Sequence, residues 1–105
     1  MTFFAVTYVH PDAEGWAEHL TAHLEYLQEL VLQGTVRASG GLVGTPTKSA
    51  LLIMSAANRE DLLAVIAKDP FQIHGLVSDM SVNEWDPIFG TYHDESSRAF
   101  PEFTQ

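Results

Sequence analysis

Two short strings carry the side chains best equipped for chemistry. In EHLTAHLEYL (residues 18–27), His19 and His23 stand four places apart within an amphipathic helical period; in KDPF (residues 68–71), Asp69 immediately precedes a proline. Histidines spaced this way can bind zinc, but the strong form is H-E-x-x-H with a third ligand, and here Leu20, Thr21 and Ala22 intervene. No metal is expected. At about 100° per residue, Trp16, Leu20, Leu24, Leu27 and Val31 share one helix face. His23 falls inside that stripe and His19 at its edge. A histidine on an apolar face needs a hydrogen-bond partner. A backbone carbonyl at the core edge is one candidate. Asp69 is another, if the second helix packs beside the first. The same carboxylate also suits a plain N-cap of DPFQ, and two oxygens allow both roles. Joined, His23 and Asp69 make a general base whose tautomer a carboxylate holds.

Other candidates are secondary. Phe71 and Trp85, with Tyr8 or Phe4, could wall a pocket and stack on a ring. Arg37 could meet an anionic or phenolic oxygen, or equally a surface carboxylate. His10, His74 and His93 read as solvated surface residues. The glycine-rich SGGLVG is neither G-x-G-x-x-G nor a P-loop, and no serine-triad motif occurs.

These residues must be positioned by a single domain, since 105 residues are too few for two ordinary cores. Fourteen acidic against five basic residues give a net charge of −9, which repels phosphate backbones and anionic lipid; neither nucleic acid nor membrane is expected as a partner. Without cysteine, disulfides and thiolate chemistry are excluded. The N-terminus lacks the basic and cleavage regions of a signal peptide and no apolar run approaches a membrane span, so a cytoplasmic protein is expected. Residues 2–10 are apolar at both parities, as in a strand covered on both faces. Helical periodicity covers 16–33, with Gly34 as its stop. Strands follow at 35–42 and 49–56. Asn58 caps a helix reaching about residue 68, Asp69 and Pro70 begin a single turn, and a fourth strand covers 76–85. The order βαββαβ predicts an α+β, ferredoxin-like fold: a four-stranded antiparallel sheet with both helices on one face. Strands apolar on both sides predict a homodimer packed sheet to sheet. The domain is expected over residues 1–85. Residues 86–105, which carry Ile88 and the aromatics Phe89, Tyr92, Phe100 and Phe103, are expected to dock on it or on its partner, with a lid as one role.

HLEYLQELVLQG, ASGGL and AKDPFQIHGLVSDMSVNEW together resemble the YciI-like family of the dimeric α+β barrel superfamily, over residues 2–85. The most specific pieces are His23-Leu24 and the Asp-Pro-Phe-x-x-x-Gly string from Asp69 to Gly75. The resemblance implies a dimer, no cofactor, and a pocket holding His23 and Asp69. Two departures stand out: Leu20 where the family often has arginine, and Gly40-Gly41 where it has Gly-Pro. Losing that arginine makes an anionic substrate less expected. Among activities in the family, the resemblance favours a dehydrochlorinase that removes HCl from a chlorinated hydroxyhydroquinone, a small aromatic substrate. The alternatives are a muconolactone-type isomerase and a non-catalytic ligand-binding dimer.

Overall fold

The computed structural model describes residues 1–98. The aromatic and β-branched residues of TFFAVTYV form β1 (Thr2–Val9), the centre of the sheet. Asp12 then caps α1 (Ala13–Leu32), its carboxylate accepting the Gly15 N–H at 2.9 Å, and Gly34 ends the helix at φ 80°. A hairpin of β2 (Val36–Leu42) and β3 (Ser49–Ala56) follows. The Asn58 side chain accepts the Asp61 N–H at 2.8 Å and so starts α2 (Arg59–Ala67). Asp69 and Pro70 start the single-turn α3 (Pro70–Ile73), and β4 (Asp79–Glu84) completes the sheet. The strand order β2-β3-β1-β4, antiparallel throughout, is that of the ferredoxin-like α+β fold. No helix among the described residues is long and apolar enough to cross a membrane.

The core lies between the sheet and the helices. Phe4, Val6 and Tyr8 of β1 share a face with Leu52 and Met54 of β3, and the helices cover them with Leu27, Leu30, Leu62 and Ile66. The buried stripe of α1 is rotated from its expected position. His23, Leu27 and Leu30 are buried, whereas Leu24 and Val31 are 52% and 54% exposed. His23 is thus at the centre of the packed face, because Leu30 and the half-buried Tyr26, on the far side of His23 from Leu24, also meet the core. The fourth strand is shorter than residues 76–85. The Leu76 N–H is still tied to the Phe71 carbonyl at 2.8 Å, closing α3 behind Gly75 (φ 66°), so the ladder begins only at Asp79.

The opposite sheet face carries Ala5, Thr7, Val9, Leu51 and Ile53, all half-buried, and a Thr7–Ser81 hydroxyl contact. At its Phe3 end the chain from residue 86 folds back. Tyr92 packs on Phe3 with ring centroids 5.2 Å apart, and its hydroxyl donates to the Arg37 carbonyl at 3.0 Å. His93, expected at the surface, is buried there, its Nδ1–H donating to the Ile88 carbonyl. Phe100 and Phe103 lie outside the described residues.

Gly15 shows how closely α1 meets the segment after α3. A Cβ there would stand 2.5 Å from Leu76 Cδ2 and 2.6 Å from the capping Asp12 carboxylate. Gly→Ala inside a helix ordinarily stabilises by about 1 kcal/mol. Here, Gly15→Ala displaces either a buried leucine or the N-cap. The expected outcome is a melting temperature lowered by several degrees, roughly 5 °C for a 1 kcal/mol loss, read by thermal unfolding.

Candidate functional site

Asp69 ends the turn after α2 with its carboxylate facing back into the protein, 1% exposed. Oδ1 accepts the Phe71 N–H at 2.9 Å, which is the expected N-cap. The same carboxylate also accepts from His23 Nδ1, at 2.8 Å to Oδ1 and 3.0 Å to Oδ2. The two roles proposed for Asp69 therefore coexist. With the carboxylate accepting, the proton of this bond is on Nδ1, and His23 Nε2 is left outside it. Phe71 stacks on the imidazole, centroids 4.0 Å apart and planes 12° from parallel, and so holds the ring angle that the hydrogen bond requires.

Beside this pair lies a cavity of about 400 Å³, of the size that takes a small aromatic molecule. Its walls are α1 (Trp16, Leu20, His23, Leu24, Leu27), the end of the β2–β3 hairpin, Phe71 and His10. Space exists here because the hairpin is built from small residues on its helix side. Ser39 pairs with Leu52 and Gly41 with Ala50, on the face that elsewhere carries Val36 and Met54. Ser39 and Gly41 therefore leave the cavity open where larger side chains would fill it.

Of the candidates named from sequence, His23, Asp69 and Phe71 are brought together. Tyr8 is not at the cavity wall; it is 1% exposed within the core, and burial and the Asp69 charge push its phenol pKa up. Phe4 is wholly buried and also absent from the wall. Trp85 is on the opposite sheet face, because Phe4 pairs with Glu84 and the next residue must point the other way. It packs 6.3 Å from Phe3, beside a separate hollow edged by Glu84, Asp86 and Glu95. Arg37 is at that end too, paired with Glu95 at 2.7 and 2.6 Å and lying 5.0 Å over the Phe3 ring. Arg37 thus holds the chain beyond residue 86, and neither it nor Trp85 lines the cavity. His19 does not converge with His23 on a common point; its ring stacks on His74 at 3.8 Å. Among the described residues no group of three or more His, Cys, Asp or Glu side chains could hold a metal.

Two cavity residues escaped the sequence. Lys48 places its ammonium 4.0 Å over the Trp16 ring. It places at the cavity wall a positive charge that Leu20 does not supply. His10 is 3% exposed, not solvated. Its Nδ1–H donates to the Leu76 carbonyl at 2.8 Å, and its ring meets the edge of Phe71 at 4.9 Å. Among the described residues its Nε2 has no hydrogen-bond partner, yet no buried side-chain nitrogen or oxygen is left unsatisfied. That nitrogen is therefore open to the cavity. Burial keeps the imidazole pKa below its ordinary value. The ladder bond from the His10 N–H to the Lys48 carbonyl, 2.7 Å, explains why the two residues arrive together.

The model of the YCII-related domain family matches residues 1–86. Comparison with curated proteins by sequence finds no match. Among solved structures, the chain is similar to the 5-chloro-2-hydroxyhydroquinone dehydrochlorinase of Burkholderia phenoliruptrix, solved in complex with 2,5-dihydroxybenzoquinone. The TM-score is 0.68 at 22% identity, over 79% of this chain and 92% of that one. It is also similar to an uncharacterised NIPSNAP domain protein of Burkholderia xenovorans, with a TM-score of 0.55 at 14% identity, over 83% and 94% of the two chains. At these identities the likeness establishes the fold.

The buried His10 gives the protein a pH signature. Its folded pKa is below the ordinary 6.5, chiefly through desolvation, so the unfolded chain takes up a proton first as pH falls. Above 6.5 both states are neutral and stability is unaffected. Below it, the native state progressively loses stability until the folded imidazole also protonates. Urea unfolding between pH 7 and 5 is expected to show this loss, and His10→Asn, which keeps a donor near Nδ1, is expected to lessen it.

Proposed function

The chain belongs to the YCII-related domain family, and from that premise we propose that it is a dehydrochlorinase acting on a chlorinated hydroxyhydroquinone to give a hydroxybenzoquinone, by acid–base chemistry at His23 and Asp69. The observation that carries this reading is the His23 imidazole at the wall of a 400 Å³ cavity, with Nδ1 clamped by a buried carboxylate. Nε2 is left to accept a phenolic proton from a bound ring. Asp69 fixes the tautomer and stabilises the imidazolium that forms. Charge delivered into the ring permits ketonisation, and His23 returns the proton to the carbon that carries chlorine. As the hydroxyl across the ring loses its proton and its oxygen pair becomes a second C=O, chloride departs with its bonding pair and conjugation is restored. Phe71 and Trp16 offer apolar walls for the ring, and Lys48 meets the negative charge of the phenolate. The ligand in the similar dehydrochlorinase, a dihydroxybenzoquinone, has the size and chemistry that these walls suit.

One geometric fact favours a rival. The His23–Asp69 bond joins α1 to the start of α3 and is nearly buried, so it could serve only as a tie within a ligand-binding dimer. The two readings part on His23→Ala. The catalytic reading expects chloride release to fall by about 10²–10⁴-fold, with the variant still folded. Asp69→Asn, which keeps an oxygen for the Phe71 N–H, is expected to fall by about 10²-fold or more, since the amide no longer holds the imidazole tautomer. The structural tie expects a collapse in melting temperature and no chloride release even from the wild type. Chloride released by His23→Ala at the wild-type rate would end the catalytic assignment.

We also propose a homodimer through the open sheet face. Ala5, Val9, Leu51 and Ile53 form an apolar surface in the sheet's centre that a second copy would cover. Sedimentation should give twice the 11.6 kDa chain mass. Ile53→Glu, a charge in the middle of that face, should give the monomer.

A further inference from the structure

We infer that His10 is a second proton acceptor of this site, taking the proton of the hydroxyl para to the one that His23 ionises, as chloride leaves. The inference rests on the dehydrochlorinase reading above. It starts from the nitrogen of His10 that packing does not use: at the end of β1, the imidazole is 3% exposed, satisfied at Nδ1 by Leu76, and open to the cavity at Nε2. His10 and His23 both touch Phe71, one at the ring's edge and one on its face, so two lone-pair nitrogens border the same space from β1 and from α1.

The reaction needs two such nitrogens at different places. Take a hydroquinone with chlorine beside its first hydroxyl. His23 removes the proton of that hydroxyl, and ketonisation places a proton on the chlorine-bearing carbon; the ring is now a dienone with one saturated carbon. For chloride to leave, the second hydroxyl, across the ring, must lose its proton. Its oxygen pair becomes a new C=O, the adjacent ring π pair moves to re-form C=C at the chlorine-bearing carbon, and the C–Cl bond breaks with its electrons on chlorine. The sum is loss of one proton and one chloride. Elimination itself raises the ring to the quinone, and no external oxidant or reductant takes part. The two hydroxyls are on opposite edges of the ring, so one imidazole cannot serve both without the substrate turning over. His10 is also suited to accepting and not to donating: with Nδ1–H committed to a carbonyl, its neutral Nε2 carries no proton.

The two steps can be read separately under anaerobic conditions in D2O. Deuterium entering the ring of unchlorinated hydroxyhydroquinone reports ketonisation by His23; chloride from the chlorinated compound reports both steps. His10→Asn is the variant, because its amide nitrogen can replace Nδ1–H toward Leu76 while Nε2 is lost. The expected result is chloride release reduced about 10²-fold, at least ten times more than the exchange, whereas His23→Gln abolishes both. Equal loss of exchange and release, or release at the wild-type rate, overturns the role of His10 and leaves His23 and Asp69 standing. A wild type that releases no chloride overturns the dehydrochlorinase reading itself, and this inference with it. Should His10→Asn fail to fold, the wild type labelled with 15N-histidine supplies the test: on adding 2,5-dihydroxybenzoquinone the Nε2 resonance of His10 shifts if the inference is right, and an unmoved resonance overturns it.

Discussion

A carboxylate taken out of water must be satisfied on the spot, and Asp69 meets that requirement with donors from two elements: the Phe71 N–H at the start of α3 and the His23 imidazole in the middle of α1. The Phe71 N–H occupies only Oδ1, so Oδ2 is satisfied only where α1 brings the imidazole to it. The constraint therefore fixes the rotation of α1 about its own axis. With His23 pinned at the centre of the packed face, Leu27 and Leu30 enter the core and Leu24 is turned outward toward the cavity mouth. The same bond sets the imidazole tautomer, so the contact that orients α1 also leaves Nε2 free of Asp69.

Much of this was legible in the sequence, for local reasons. The caps at Asn58 and Asp69, the Gly34 stop and the apolar strands are short-range signals, and each stands where the residues placed it. The His23–Asp69 partnership was legible because an imidazole on an apolar face needs a partner and an acid before Pro70 has an oxygen to spare beyond its N-cap role. The errors came from registers that only pairing can set. A helical wheel finds a stripe but not the sheet beneath it, so the α1 face was placed too near Leu24 and Val31. The Phe4–Glu84 register, not any property of tryptophan, sends Trp85 to the far face, and Arg37 follows the bulge between Val36 and Ala38.

His10 and Lys48 were passed over for the same reason. In sequence they are a strand end and a loop end, thirty-eight positions apart, and each alone looks solvated. The antiparallel pairing of β1 with β3 brings Val9 opposite Ser49, and one step further the His10 N–H meets the Lys48 carbonyl. What made His10 a cavity residue was α3: Phe71 and Leu76 close over its ring and leave a single edge uncovered.

The electrostatics of the cavity run against those of the chain. A protein of net charge −9 repels anions at long range, yet the described cavity wall bears an ammonium, two imidazoles and no carboxylate at its surface, Asp69 being sealed behind His23. Long-range repulsion is screened beyond about 8 Å at physiological salt, whereas a charge inside a partly enclosed cavity is felt at nearly full strength. A ring that arrives neutral escapes the outer repulsion, and one that ionises only after it has entered gains the inner attraction. That order of events suits a phenol, which is uncharged in neutral solution, better than a carboxylate, which carries its charge throughout the approach. The loss of a cation at Leu20 and its supply by Lys48 are consistent with the same preference, since Lys48 sits on Trp16 at the hairpin side, beside His10.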